Sequence, residues 1–152
     1  DDTLPIFPSE LSAASPISNL SQIIPVQSPS ASPPEKIFGD EPGHNWCYYF
    51  EKAELARQEK DWGAIKKLGD EAFNLNLVPG QAQGLRVFVE GYIQTWNWMR
   101  AIDLSNLAYD KSKDVEVALC KLLHQYKDEL PPSEDVIPQL QTSLAVLGCP
   151  LD

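Results

Sequence analysis

Nothing in these 152 residues reads as a membrane span, because no apolar run approaches the roughly 20 residues that a helix needs to cross a bilayer. Positive charge is also scarce. Twelve Lys and Arg stand against 22 Asp and Glu, a net charge of -10 that disfavours nucleic acid and anionic membrane surfaces as partners. Cysteine is limited to Cys47, Cys120 and Cys149, too few and too odd in number for a disulfide framework, with no Cys-x-x-Cys pair among them. The sequence has no Gly-x-Ser-x-Gly turn, no Gly-rich phosphate loop and no His-Glu-x-x-His, so it offers no catalytic constellation and calls for no cofactor. The chain opens on Asp1 rather than Met, which suggests a processed product or a fragment of something longer.

What is abundant is distributed unevenly. Eight of the thirteen prolines fall before residue 43, amid serines that culminate in Ser28-Pro29-Ser30-Ala31-Ser32-Pro33-Pro34. Each proline fixes its own φ, removes an amide donor and pushes its neighbour out of the helical region. Residues 1–42 therefore read as a Pro/Ser-rich arm or linker, within which Ile17, Leu20, Ile23 and Ile24 have the spacing of a two-turn helix over 17–24.

From Gly43 onward the apolar spacing is helical. Trp46, Tyr49, Phe50, Ala53 and Ala56 mark one face of a first helix. Asp61 caps a second that carries Trp62, Ile65, Leu68, Ala72 and Phe73. Pro79-Gly80 breaks the chain before a third helix with Leu85, Phe88, Val89, Tyr92 and Ile93. Asn97 is placed to cap a fourth that bears Trp98, Ala101, Leu104, Ala108 and Tyr109. Val115, Ala118, Leu119, Leu122, Leu123 and Tyr126 line a fifth. After Pro131-Pro132, Ser133 starts a sixth with Ile137, Leu140, Leu144 and Leu147, stopped by Gly148.

Shifting the chain by 36 residues lays Trp62 on Trp98, Leu68 on Leu104, Ala72 on Ala108, Phe73 on Tyr109 and the cap Asp61 on Asn97. A ring that closes a hairpin turn, followed ten residues later by an alanine that admits a neighbouring helix, is the pattern of stacked antiparallel hairpins. The fold expected is all-α and tetratricopeptide-like, near that family's usual period of about 34. The repeats fall at about 44–78 and 80–112, with C-terminal capping helices at 114–129 and 133–147, and Trp62 and Trp98 are expected in equivalent interior slots.

Three sets of polar residues merit a functional reading. His44 and Cys47 have the spacing of two helical metal ligands, but no second pair matches them, so Cys47 reads as a buried small hydrophobe and no metal is expected. Glu51 and Glu54 could form a carboxylate pair, although Lys52 and Arg57 make a solvated face the simpler account. Asn45, Tyr48, Glu51, Gln58, Gln83, Arg86, Glu90 and Gln94 lie on the first helices of the two hairpins, which line the concave groove in tetratricopeptide-like arrays. Of these, Asn45, Tyr48, Glu51, Arg86, Glu90 and Gln94 are the candidate binding residues, for a protein or peptide partner that is basic or amide-rich.

The stretch Pro42-Gly43-His44-Asn45-Trp46-Cys47-Tyr48-Tyr49-Phe50-Glu51, continued by Asp61-Trp62, Leu68-Gly69-Asp70-Glu71-Ala72-Phe73 and Phe88-Val89-Glu90-Gly91-Tyr92, resembles a C-terminal segment of large bacterial membrane proteins. Those proteins occur in cyanobacteria and filamentous green bacteria, and their many-spanning part is similar to mannosyltransferase-type glycosyltransferases. The resemblance implies an extracytoplasmic, membrane-tethered tail behind the last span, with the catalytic carboxylates left in the membrane part. The repeat without catalytic residues makes the leading expectation a non-catalytic interaction module that docks a partner or its own membrane part on an acidic concave face. The alternative is part of a glycosyltransferase that helps bind an acceptor or lipid-linked sugar through aromatics such as Trp96 and Trp98.

Overall fold

The computed structural model describes residues 35–39 and 43–150, so the expected arm and its helix over 17–24 lie outside the described residues. Within them the chain is all-helical. After a single turn at Glu35–Phe38 come α1 (Trp46–Gln58), α2 (Trp62–Asn74), α3 (Arg86–Gln94), α4 (Trp98–Lys111), α5 (Glu116–Glu129) and α6 (Ile137–Leu147), with 3-10 turns leading into α3 and α5. α1 packs on α2 and α3, α2 on α3, α3 on α4 and α5, α4 on α6, and α5 on α6.

Most of the apolar stripe residues read from the sequence are buried, while Trp46, Phe50, Trp62, Leu68, Phe73 and Tyr109 are partly buried and pack against the core. Ala53, Ile65, Ala72, Leu85, Phe88, Val89, Tyr92, Ile93 and Ala101 are fully buried. Trp46 of α1, Phe73 of α2 and Phe88 of α3 meet as a triangle, with ring centroids 5.3–5.8 Å apart, an arrangement that adds edge-to-face attraction to their burial. Ala72 and Ala108, one repeat apart, are both buried.

The turns repeat bond for bond. At the end of α1, the Lys60 amide donates to Arg57 O and the Asp61 amide to Ala56 O (2.8 Å). Thirty-six residues on, the Trp96 amide donates to Ile93 O and the Asn97 amide to Tyr92 O (2.8 Å). Both pairs are the two bonds of a Schellman motif, which needs one residue in the left-handed region. Lys60 (φ 58°) and Trp96 (φ 61°) supply it, as do Asn76 after α2 and Gly148 (φ 76°) after α6.

Several expectations need correction. Trp98 is buried and its Nε1 donates to Leu130 O (3.1 Å), whereas Trp62 is only half-buried, so the two indoles are not equivalent. The difference lies in the backbone just past the next helix. Beyond α5 it straightens at Leu130 (φ -134°) and presents that carbonyl, while beyond α3 it enters a Schellman turn at once. Asn97 stands at the cap of α4 without a side-chain cap bond, while the Asp61 carboxylate does accept from the Ala64 amide (2.9 Å). α6 begins at Ile137 rather than Ser133. Ser133 contributes its carbonyl to Val136 and Ile137 in a preceding turn, and Ile137 itself is exposed.

The largest correction concerns cysteine. Cys120 of α5 and Cys149, just beyond α6, are buried and joined in a disulfide with Cα atoms 5.4 Å apart. Cys47, expected to be a buried hydrophobe, is free and exposed.

Candidate functional site

Asn45 is the N-cap of α1, its Oδ1 accepting from the Tyr48 amide (3.3 Å). That cap holds the Tyr48 ring face to face with His44, centroids 3.5 Å apart, and Lys52 Nζ lies 5.7 Å from the same ring. His44 is thus used in stacking beside Tyr48. Among the described residues, no group of three His, Cys, Asp or Glu side chains could hold a metal ion. Glu51, one turn after Tyr48, is exposed. Glu54, next along, is paired with Arg57, whose NH2 lies 2.9 Å from Oε2.

On α3, Arg86, Glu90 and Gln94 recur every four residues and so form a stripe along one side of the helix. Arg86 and Gln94, at its two ends, are half-buried. Glu90, between them, is buried because α5 lies over it, and its Oε1 accepts from the Tyr126 hydroxyl (2.8 Å). Its Oε2 is also out of contact with solvent and has no hydrogen-bond partner among the described residues. Burial raises the Tyr126 phenol to about 12; a hydrogen bond with Gln94 opposes the rise, and the Glu90 and Glu129 carboxylates add to it.

A second polar tie joins α2 to α3. The Tyr92 hydroxyl donates to Asp70 Oδ1 (2.6 Å), and Lys66 donates to the other carboxylate oxygen (2.5 Å). Burial alone would raise Asp70. The bonds from Lys66 and Tyr92, with the charges of Lys66 and Arg100, outweigh it and hold the carboxyl below its ordinary value. Burial, reinforced by the bond to Asp70, pushes the Tyr92 phenol well above its usual range. Thirty-six residues later Asn106 takes the place of Asp70 and accepts from Ser143 of α6 (2.7 Å), so α2 is tied to α3 and α4 to α6 by a side-chain hydrogen bond.

The candidate residues therefore divide into an accessible N-terminal set, Asn45, Tyr48 and Glu51, and an α3 stripe whose centre is taken up by α5. Trp98, a candidate sugar-facing ring, is interior. Trp96 is 62% exposed, in the left-handed region, one turn ahead of the 43% exposed Met99. Beyond it a groove of about 400 Å³ runs between α4 and α6, with Ile102 as its floor and Met99, Pro138 and Val146 along its sides. Sequence reading passed over this groove. Met99 and Val146 lie off the buried stripes of their helices, and an apolar residue off the stripe was the available signal.

No protein-family model matches the chain, and no curated protein and no solved structure matches it.

Proposed function

We propose that this chain is a tetratricopeptide-like interaction module that docks a protein or peptide against the first helices of its hairpins. The observation that carries this reading is the repeated turn. The same closure also ends α2 and α6, so what supports the reading is its 36-residue spacing at Lys60 and Trp96 together with the burial of Ala72 and Ala108 at that same spacing, as in a stack of like hairpins. Such an array offers an extended, rigid wall. Asn45, Tyr48, Glu51, Arg86 and Gln94 would provide the polar contacts on it, with Glu51 favouring a basic or amide-rich partner.

In this reading the module is the extracytoplasmic tail of a larger membrane protein, and the membrane part of that parent is one candidate partner. The Cys120–Cys149 disulfide supports an oxidising compartment, since such bonds are rare in reducing cytosol. No helix among the described residues is long and apolar enough to cross a membrane.

Panning a random peptide library against the domain provides the test. Peptides selected by the wild type should lose at least tenfold in affinity for the Tyr48→Ala/Gln94→Ala double variant, and unchanged affinity would count against this face. The exposed indole of Trp96 keeps the sugar-binding reading open, because an accessible ring can stack on a saccharide. A mannose oligosaccharide titrated against tryptophan fluorescence distinguishes the two. A saturable change that Trp96→Ala abolishes would favour the glycosyltransferase reading, and a flat response would favour protein docking.

A further inference from the structure

We infer that the groove between α4 and α6 is a second docking surface, which takes a short basic amphipathic helix. The inference is independent of the reading above, because this groove is made by the second helices of the last two hairpins.

Its shape suits a helix. From Pro138 to Val146 the α6 wall runs eight residues, about 12 Å or two turns, alongside a comparable length of α4 from Met99 to Asn106. The floor at Ile102 is buried, whereas Met99 and Val146 are 43% and 56% exposed on either side. Apolar side chains spaced along one face of an incoming helix would cover them. The Ser143–Asn106 hydrogen bond fixes α6 against α4 and so holds the walls at a constant separation.

Its charge selects the partner. Among the described residues, Asp103 is the only charged one in the lining. Asp110 continues the stripe Met99, Asp103, Asn106 along α4, and the exposed Glu134 and Asp135 stand in the turn ahead of Pro138. Of the three cations in the α4 region, Arg100 lies over Phe73 (4.8 Å) and Lys113 over Tyr109 (3.4 Å), and the exposed Lys111 stands at the last position of the helix, beyond the groove lining. An acidic rim around an apolar floor complements a helix with Lys or Arg beside its aliphatic anchors. A second copy of this chain is a poor occupant, because each copy carries a net charge of -10.

Two labelled 14-residue peptides test the inference, with leucines at the same helical positions and either Lys or Glu at the rest. Fluorescence anisotropy should show the Lys peptide binding at least tenfold more tightly than the Glu peptide. Met99→Glu and Val146→Glu should each weaken the Lys peptide at least tenfold, although each adds attractive negative charge. Val117→Glu, at a 68% exposed apolar position on α5, is the control and should leave binding unchanged. All three positions are exposed, and circular dichroism melts check that the fold survives. Equal binding of the two peptides, or a Val146→Glu variant indistinguishable from Val117→Glu, overturns the inference. So does sedimentation showing a dimer that Met99→Glu dissolves.

Discussion

Between α2 and α3 the helices meet through glycines. A Cβ on Gly91 of α3 would overlap Ile65 Cγ2, and one on Gly69 of α2 would stand 2.9 Å from Phe88 Cδ1. Between α5 and α6 nothing comparable happens. Leu140 and Leu144 share the lining of a cleft of about 340 Å³ with His124 and Pro132, and a disulfide joins the two helices near the other end of the hairpin. Where two helices touch closely, dispersion and burial hold them without a cross-link. Where leucines and prolines leave space between them, a covalent bond does the work of contact.

The strongest way to break that comparison is to cut the disulfide. Its loop spans a sequence separation of 29, for which the chain-entropy relation gives about 3.5 kcal/mol. Cys120→Ser/Cys149→Ser should lower urea stability by about that much, and a loss below about 1 kcal/mol would mean that packing alone holds the last hairpin. Thiol titration of the unreduced, denatured wild type should find one thiol per chain, that of Cys47.

Overfilling the tight interface is the converse experiment. Gly91→Ala places a methyl against the fully buried Ile65, an overpacking of about 1–3 kcal/mol. Better helix propensity returns up to about 1 kcal/mol, leaving a net loss of about 2 kcal/mol at the upper end. A double-mutant cycle with Ile65→Ala should show coupling above about 1 kcal/mol, because truncating Ile65 makes room for the new methyl. Additive effects would remove Ile65 as the reason for glycine at position 91.

The tyrosines sharpen the comparison on a pH axis. Tyr92 and Tyr126 ionise above the ordinary phenol value in the folded chain, Tyr126 at about 12. Below pH 10 both phenols are neutral, folded or unfolded, and their contribution is fully present. As pH rises beyond 10 the unfolded chain loses these protons first, so stability falls until the folded values are passed. Melting temperatures between pH 9 and 12 should decline steeply for wild type and less steeply for Tyr92→Phe. At neutral pH the same variant should cost about 1.5 kcal/mol, the worth of a hydrogen bond to the charged Asp70. Equal slopes would mean that Tyr92 ionises as freely when folded as when unfolded.

Helix positions and buried faces were legible because a helix imposes a 3.6-residue period on its own sequence. Phe88, Val89, Tyr92 and Ile93 needed no knowledge of their neighbours to be assigned inward. The pairing of Cys120 with Cys149 was not legible, since a separation of 29 residues carries no local signal. Nor was the difference between Trp62 and Trp98, which arises from a carbonyl 32 residues beyond Trp98. The helix position of Glu90 alone places it on the groove side, and its burial depends on α5, a later element. The α4–α6 groove escaped for the same reason, with walls about 40 residues apart in sequence.

Trp96 gives the smallest effect and the finest discrimination. A bulky residue in the left-handed region costs about 1–2 kcal/mol, and the chain accepts glycine in that role after α6, at Gly148. Lys60 occupies the matching position one repeat earlier with nearly the same φ, so it is an internal reference. Trp96→Gly and Lys60→Gly should each relieve the turn, with the greater flexibility of unfolded glycine offsetting part of the gain, for a net stabilisation of about 0.5–1 kcal/mol. If the two gains agree, the indole contributes nothing to folding, and its 62% exposed ring is left available for an external contact. If Trp96→Gly instead destabilises while Lys60→Gly stabilises, the ring is a structural part of the α3–α4 turn, and the sugar-stacking reading loses its motivation.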